Sequence, residues 1–290
     1  MEGQNHSVAP SFRLAQWPGE GGLNSRGHKK WKPLIMQFKF FGFSDPGRTR
    51  GHNEDSYLCN AKEKLFLVAD GMGGHSAGDR ASKTAVESIE DYVIRSRSED
   101  KTWPFMEFHA ELTPNQNRLL GALLSANRQL IEMGKKDPSL KGMGTTLVGA
   151  IIDEEKHLAI VNAGDSRLYS IREGKIEQHT TDHTVVGEEQ KEGRLSKEEA
   201  RKHPQRHILT SGLGIDQKPR IDSFLVDIEP KDLFLLCSDG LHDMLEDGEI
   251  LEIISSIQDR SLYKIGLSLV LKANLAGGLD NIAVVLLSFQ

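Results

Sequence analysis

The sequence predicts an α+β fold in which sheets are covered on both faces and helices cluster between the strand-rich parts of the chain. Three observations carry that prediction: short runs apolar at nearly every position, long segments with helical periodicity, and Gly and Asp punctuation between them. Of the 290 residues, 38% are hydrophobic and 27% charged, enough apolar material for a real core and too much for a disordered chain. Lys+Arg number 36 against 42 Asp+Glu, giving a formal net charge of -6. That balance excludes a general nucleic-acid binder, which needs clustered cations to neutralise phosphates.

The elements follow in order. Residues 1–35 are rich in Gly, Pro, Ser and Asn and lack an apolar signal-peptide core, so they read as a flexible N-terminal extension ahead of one domain at 36–290. Strands are expected at 38–43, 65–69, 145–152, 157–163, 167–171, 233–238 and 282–289, with another directly after the cluster RTRGHNED. Ala81, Ala85, Ile89 and Val93 recur every four residues and predict a helix over 79–94. Leu120, Leu123, Leu124, Leu130 and Ile131 share a face and predict another over 117–133. The stretch 99–116 between them reads as a loop, in which Trp103 and Phe105 pack locally. Two further helices are expected at 249–257 and 262–274, before Gly277-Gly278 breaks the pattern. Between about 181 and 214 the composition turns polar and charged, the mark of a flap insertion; Ser196 and Glu199 form a capping box for a short helix that stops at Pro204. No run approaches the ~18 consecutive apolar residues of a membrane span, so a cytoplasmic protein without membrane contact is expected. Cys59 and Cys237 sit alone in strand-like runs and read as reduced structural thiols rather than a disulfide or zinc framework. Nothing in the composition calls for an obligate oligomer, so a monomer is expected.

One device recurs: an apolar strand ending in an aspartate beside glycine. It appears as LFLVADG with Asp70-Gly71, LFLLCSDG with Asp239-Gly240, and LAIVNAGDSR with Gly164-Asp165; Asp280 in GGLDN precedes the last strand. Each Asp-Gly alone is an ordinary turn after a strand. Together, four acids converging on one rim repel one another unless a cation lies between them, and oxygen-only donors favour Mg²⁺ or Mn²⁺ over zinc. RTRGHNED adds Arg50, Asn53, Glu54 and Asp55; adjacent acids reach one site only where the backbone turns, and an exposed loop has the same look.

The segments RTRGHNEDS, VADGMGGHSAG, GMGTTLVGA, NAGDSRLY, TTDHTVV, HILTSGLG, CSDGLHDML and LDNIAVVLL occur in the order seen in the protein phosphatase 2C family, the metal-dependent serine/threonine phosphatases. The resemblance covers roughly 37–289, and DGMGGH with the HP element of the flap is similar to bacterial members. It implies a four-layer α-β-β-α sandwich of two antiparallel sheets flanked by helices. It also implies two Mg²⁺ or Mn²⁺ ions, with a third in bacterial members. By the same resemblance Asp70 bridges both ions, Asp239 and Asp280 bind the first, and the carbonyl of Gly71 binds the second. Glu54 and Asp55 hold the second largely through its waters, and Asp165, Asp239 and Asp243 match the third site. Arg50 matches the arginine that grips substrate phosphate, a role suited to a planar two-pronged donor.

The implied reaction is hydrolysis of phosphoserine and phosphothreonine in proteins by a water bridging two cations, without a phosphoenzyme, opposing a bacterial serine/threonine kinase. Eukaryotic members have a histidine directly after Asp-Gly where this chain has Met72. His75 is therefore a candidate for protonating the leaving alkoxide, as is metal-bound water, while a rim histidine that only packs is the plain alternative. His52 and His183 are weaker candidates for touching substrate or metal-bound water, and Gly144, Thr145 and Thr146 read as backbone and core positions. Two other functions remain open: a catalytically dead binding module, against which six retained charged site residues speak, and a hydrolase of small phosphate esters or of a phosphorylated anti-sigma-antagonist-type regulator. Flap residues 185–207 would set that last choice.

Overall fold

A computed structural model describes residues 37–73, 77–98, 109–153 and 156–290. The leader, His75, Trp103 and Phe105 lie outside the described residues. In chain order the strands are β1 (Phe38–Asp45), β2 (Asp55–Asn60), β3 (Leu65–Met72), β4 (Gly144–Thr145), β5 (Leu147–Ile152), β6 (His157–Ala163), β7 (Arg167–Arg172), β8 (Lys175–Gln178), β9 (Asp222–Asp227), β10 (Leu233–Cys237) and β11 (Ile282–Phe289). The helices are α1 (Ala77–Ser98), α2 (Pro114–Lys136), α3 (Val185–Lys191), α4 (Lys197–Lys202), α5 (Asp239–His242), α6 (Asp247–Ser256) and α7 (Leu262–Leu275).

The strands form two antiparallel sheets. One has the order β1-β11-β10-β7-β8; the other has the order β2-β3-β5-β6-β9, with β4 joined to β3. Successive side chains of a strand face opposite ways, which explains why these runs are apolar throughout. Phe66 and Val68 of β3 meet Phe234 and Leu236 of β10 and Val285 and Leu287 of β11 between the sheets. Leu65, Leu67 and Ala69 point the other way, onto Ala81, Ala85 and Ile89 of α1 and Leu119 and Leu123 of α2. On the far side Leu233, Leu235 and Cys237 of β10 pack with Ile265 and Leu269 of α7. The molecule is thus the expected α-β-β-α sandwich.

Capping sets the helix ends. The Thr113 hydroxyl accepts from the Gln116 N–H while the Gln116 side chain accepts from the Thr113 N–H, and Pro114 starts α2 three residues earlier than periodicity alone predicts. Ser196 and Glu199 make the same reciprocal pair at α4, which ends at Lys202, two residues before Pro204. Some elements differ from expectation. The strand predicted at 145–152 divides at Thr146, whose N–H leaves the ladder to donate to the Asp70 carbonyl at 2.9 Å. β8 and β9 are half-exposed edge strands with charged residues, and α3 lies inside the polar flap; none carries a strong apolar period. Among the described residues no helix is long and apolar enough to cross a membrane. Cys59 and Cys237 are free thiols, as expected.

Candidate metal centre

Antiparallel pairing delivers the acids to one end of the sandwich. Asp55 at the start of β2 lies opposite Asp70 near the end of β3, and Cys237, just before Asp239, lies opposite Val284 and Arg167. The sheets are fastened to each other at this rim: Ser238 Oγ donates to Asp55 Oδ2 at 2.6 Å, and the Glu54 N–H donates to Asn281 Oδ1 at 2.8 Å. A pocket of about 270 Å³ opens there, lined by Arg50, Glu54, Asp70, Gly71, Asp239 and Asp280, among others that include Asp165 and His207.

Each side chain is held by its own backbone setting. The Asp70 carbonyl accepts from Thr145 Oγ1 at 2.8 Å, and the Asp70 N–H donates to Thr146 Oγ1 at 3.1 Å. The Gly71 N–H donates to the Glu54 carbonyl at 3.1 Å, and a Cβ on Gly71 would stand 2.1 Å from the Gly78 carbonyl oxygen. Only glycine lets three stretches of backbone meet this closely. Gly164, at φ +112, makes the turn that presents the buried Asp165. Asn281 gathers the loop before β2, its Nδ2 donating to the carbonyls of Pro46 and His52, each at 2.9 Å. Arg50 reaches Asp280 with an Nη2–Oδ2 distance of 2.6 Å while its side chain stays half exposed.

The electrostatics are those of anions crowded together. Burial, with Asp239 nearby, pushes Asp55 up to about 8; burial and neighbouring acids lift Asp239 to about 7. Asp70 and Asp165 lie well above the ordinary carboxylate range, first through burial and then through Asp239. Burial also raises Glu54. Asp55 Oδ1 and Asp239 Oδ1 are buried without a hydrogen-bond partner, which is rare for carboxylate oxygens unless something outside the protein engages them. A divalent cation would answer both observations, since it accepts lone pairs and favours the ionised form. The donors are hard oxygens, so the residues fit Mg²⁺ or Mn²⁺.

Arg50, Glu54, Asp70, Gly71, Asp165, Asp239 and Asp280 line one pocket. Asp55 stands behind it, bonded to Ser238. Asp243 lies to one side, where its carboxylate, that of Asp239 and the His207 ring bring ligand atoms within 4.8 Å of one another. His183 is a different matter. It is fully buried, accepts from the Gly164 N–H through Nδ1 at 3.3 Å and lies 3.2 Å from Asp222 through Nε2, so it braces the turn before Asp165 and is not among the residues lining the pocket. The His52 ring does not line the pocket. Ser238, Asn281, Thr146 and His207 are parts of the site that sequence reasoning did not single out for this role; Thr146 and its neighbour Thr145 do serve through backbone contacts.

The protein phosphatase 2C family model matches residues 48–264. "Serine/threonine phosphatase stp" of Listeria innocua is 37% identical over 251 residues, covering 84% of this chain and 92% of the relative. The crystal structure of the serine/threonine phosphatase PstP/Ppp of Mycobacterium tuberculosis superposes with a TM-score of 0.73 at 32% identity, covering 88% of this chain and 99% of that one. A structure of the PstP catalytic domain in complex with 2 manganese ions gives a TM-score of 0.72 at 31% identity, covering 88% and 99%.

Proposed function

The chain belongs to the protein phosphatase 2C family, and from that premise we propose that it is a metal-dependent phosphatase of phosphoserine and phosphothreonine in proteins. One observation carries the reading: carboxylates from both sheets converge on one pocket, with an unpartnered Asp239 oxygen among them and a half-exposed arginine at the edge. We assign Asp70, Asp239 and Asp280 to one cation, and Asp70, the Gly71 carbonyl and Glu54 to a second, with Asp55 behind them. Asp165, Asp239 and Asp243 suit a third. The two manganese ions of the PstP relative support a divalent-cation site in the family, not these individual ligands. Bound cations supply Lewis acidity, lowering the proton affinity of water and offsetting charge on phosphoryl oxygens.

The chain's own groups do the rest. Arg50 engages Asp280 through Nη2, and its other N–H donors suit the oxygens of an incoming phosphoryl group, which they orient for in-line displacement. Burial pushes the Cys59 thiol up to about 12 and the Cys237 thiol higher still, so neither supplies a thiolate nucleophile, which is in keeping with attack by water. The departing alkoxide takes its proton from His75 or from water. A serine/threonine protein kinase must generate such substrates.

The test is phosphate release from a phosphothreonine peptide in EDTA, Mg²⁺ or Mn²⁺, run beside Asp239→Ala. Release that requires the cation and falls about 10³-fold in the variant supports the reading. A flat trace under every condition, from protein with native circular dichroism, sinks it.

A further inference from the structure

A second pocket lies under the flap. Its volume is about 340 Å³, and it shares Asp165 and His207 with the catalytic pocket, so the two adjoin. The charges of the flap are sorted with respect to it. Residues 185–207 contain six Lys and Arg and five Glu; Lys191, Lys197, Arg201 and Arg206 line the pocket, and none of the five glutamates does. Four of those glutamates are engaged elsewhere: Glu188 with Arg220, Glu192 with Arg194, Glu198 with Lys202, and Glu199 in the cap of α4.

The inner wall cancels only part of this charge: Asp243 faces Arg206 and lies 3.3 Å from the His207 ring. Arg167 and Asp182 neutralise each other in a two-pronged pair with a shortest distance of 2.6 Å, and Asp165 and Asp243 belong to the metal centre. Lys197 is paired with Asp247, and Arg201 stands 3.9 Å from Glu246, which anchors α4 to the start of α6. Among the described residues Lys191 makes no ion pair within 4.0 Å, and Arg206 faces Asp243 across the pocket without closing to a salt bridge. The result is a cationic mouth on a chain whose formal net charge is -6. A single exposed ion pair contributes little in water, but several like charges around a concavity reinforce one another's potential.

Building on the phosphatase reading, we propose that this pocket is a subsite for an anionic side chain, carboxylate or second phosphoryl group, that flanks the phosphoresidue undergoing hydrolysis. The enzyme then selects phosphosites set in acidic sequence. Neutral flanking residues gain nothing there, whereas acidic ones add charge-assisted hydrogen bonds to lysine and arginine.

Three phosphothreonine peptides test it: one with neutral flanks, one with aspartates, and one with a second phosphothreonine. Affinity is read by fluorescence anisotropy in Mn²⁺ with non-hydrolysable phosphonate analogues of the three peptides, and kcat/KM in Mn²⁺ with the peptides themselves. Lys191→Ala/Arg201→Ala is compared with Arg194→Ala/Lys202→Ala, which makes the same change in net charge away from the pocket. Wild type should bind the anionic peptides about tenfold more tightly than the neutral one. That preference should vanish in the first variant and persist in the second, with p-nitrophenyl phosphate turnover unchanged in both. The aspartate and phosphothreonine arms tell which anion fits better. Equal affinity of wild type for all three peptides, or equal loss in both variants, overturns the proposal. Selective binding without turnover under any cation would retain the subsite and refute the phosphatase reading; turnover without flank selectivity would do the reverse.

Discussion

Ser238 shows how a residue of no obvious chemistry governs the site. Its Oγ donates to Asp55 Oδ2 and accepts from the Ala283 N–H at 2.8 Å, so removing it strands two buried polar groups. Ser238→Ala should cost about 1–3 kcal/mol in urea unfolding, and a change below a few tenths would contradict this role. Gly71→Ala drives a methyl group into the Gly78 carbonyl oxygen; a loss of about 1–3 kcal/mol is expected, together with weaker cation binding by isothermal calorimetry. Asp70, Asp165 and Asp239 of the pocket were legible in sequence because each ends an apolar run beside a glycine, and Asp280 because it precedes the last apolar strand. Ser238 and Asn281 were not, because their partners lie 183 and 227 positions away and no local pattern announces them. His207 was hidden by the polar composition of the flap.

At the scale of elements, the flap is tied down by a few contacts. Isolated bridges join Thr145 to Leu213 and Thr184 to Leu209, Arg220 holds Glu188 of α3, and Lys197 holds Asp247. Arg220→Ala should speed amide hydrogen exchange across Val185–Lys191 at least about tenfold while shifting the melting temperature by less than about 3 °C, because local opening is cheaper than global unfolding. Unchanged exchange there would show that the flap is held by other means. Elements inside the sandwich were readable from periodicity: the strands expected at 157–163 and 282–289 have their expected bounds, and the helix expected at 262–274 ends one residue later. β8, β9 and α3 were not, since an element that buries little apolar surface leaves little period in the sequence.

At the scale of the molecule, the acid rim couples stability to pH and to cations. In the unfolded chain these carboxyls ionise near pH ~3.9, whereas in the folded protein Asp55 and Asp239 hold their protons up to about 8 and about 7. Between those limits the folded state binds more protons, so in EDTA this contribution to stability is present at low pH and lost as pH rises from 5 to 8. Cations replace those protons, so Mn²⁺ should raise the melting temperature more at pH 8 than at pH 5. Thermal melts at both pH values check the sign, and a larger gain at pH 5 would contradict it.

The most direct test of the account counts ions. Manganese retained after equilibrium dialysis, measured by atomic emission on folded wild type and Asp70→Asn, is compared with phosphate release from a phosphothreonine peptide by the same samples. At least two ions per wild-type chain are expected, fewer in Asp70→Asn, with activity that rises and falls with occupancy. Wild-type protein that is folded and releases phosphate with no cation bound would contradict it.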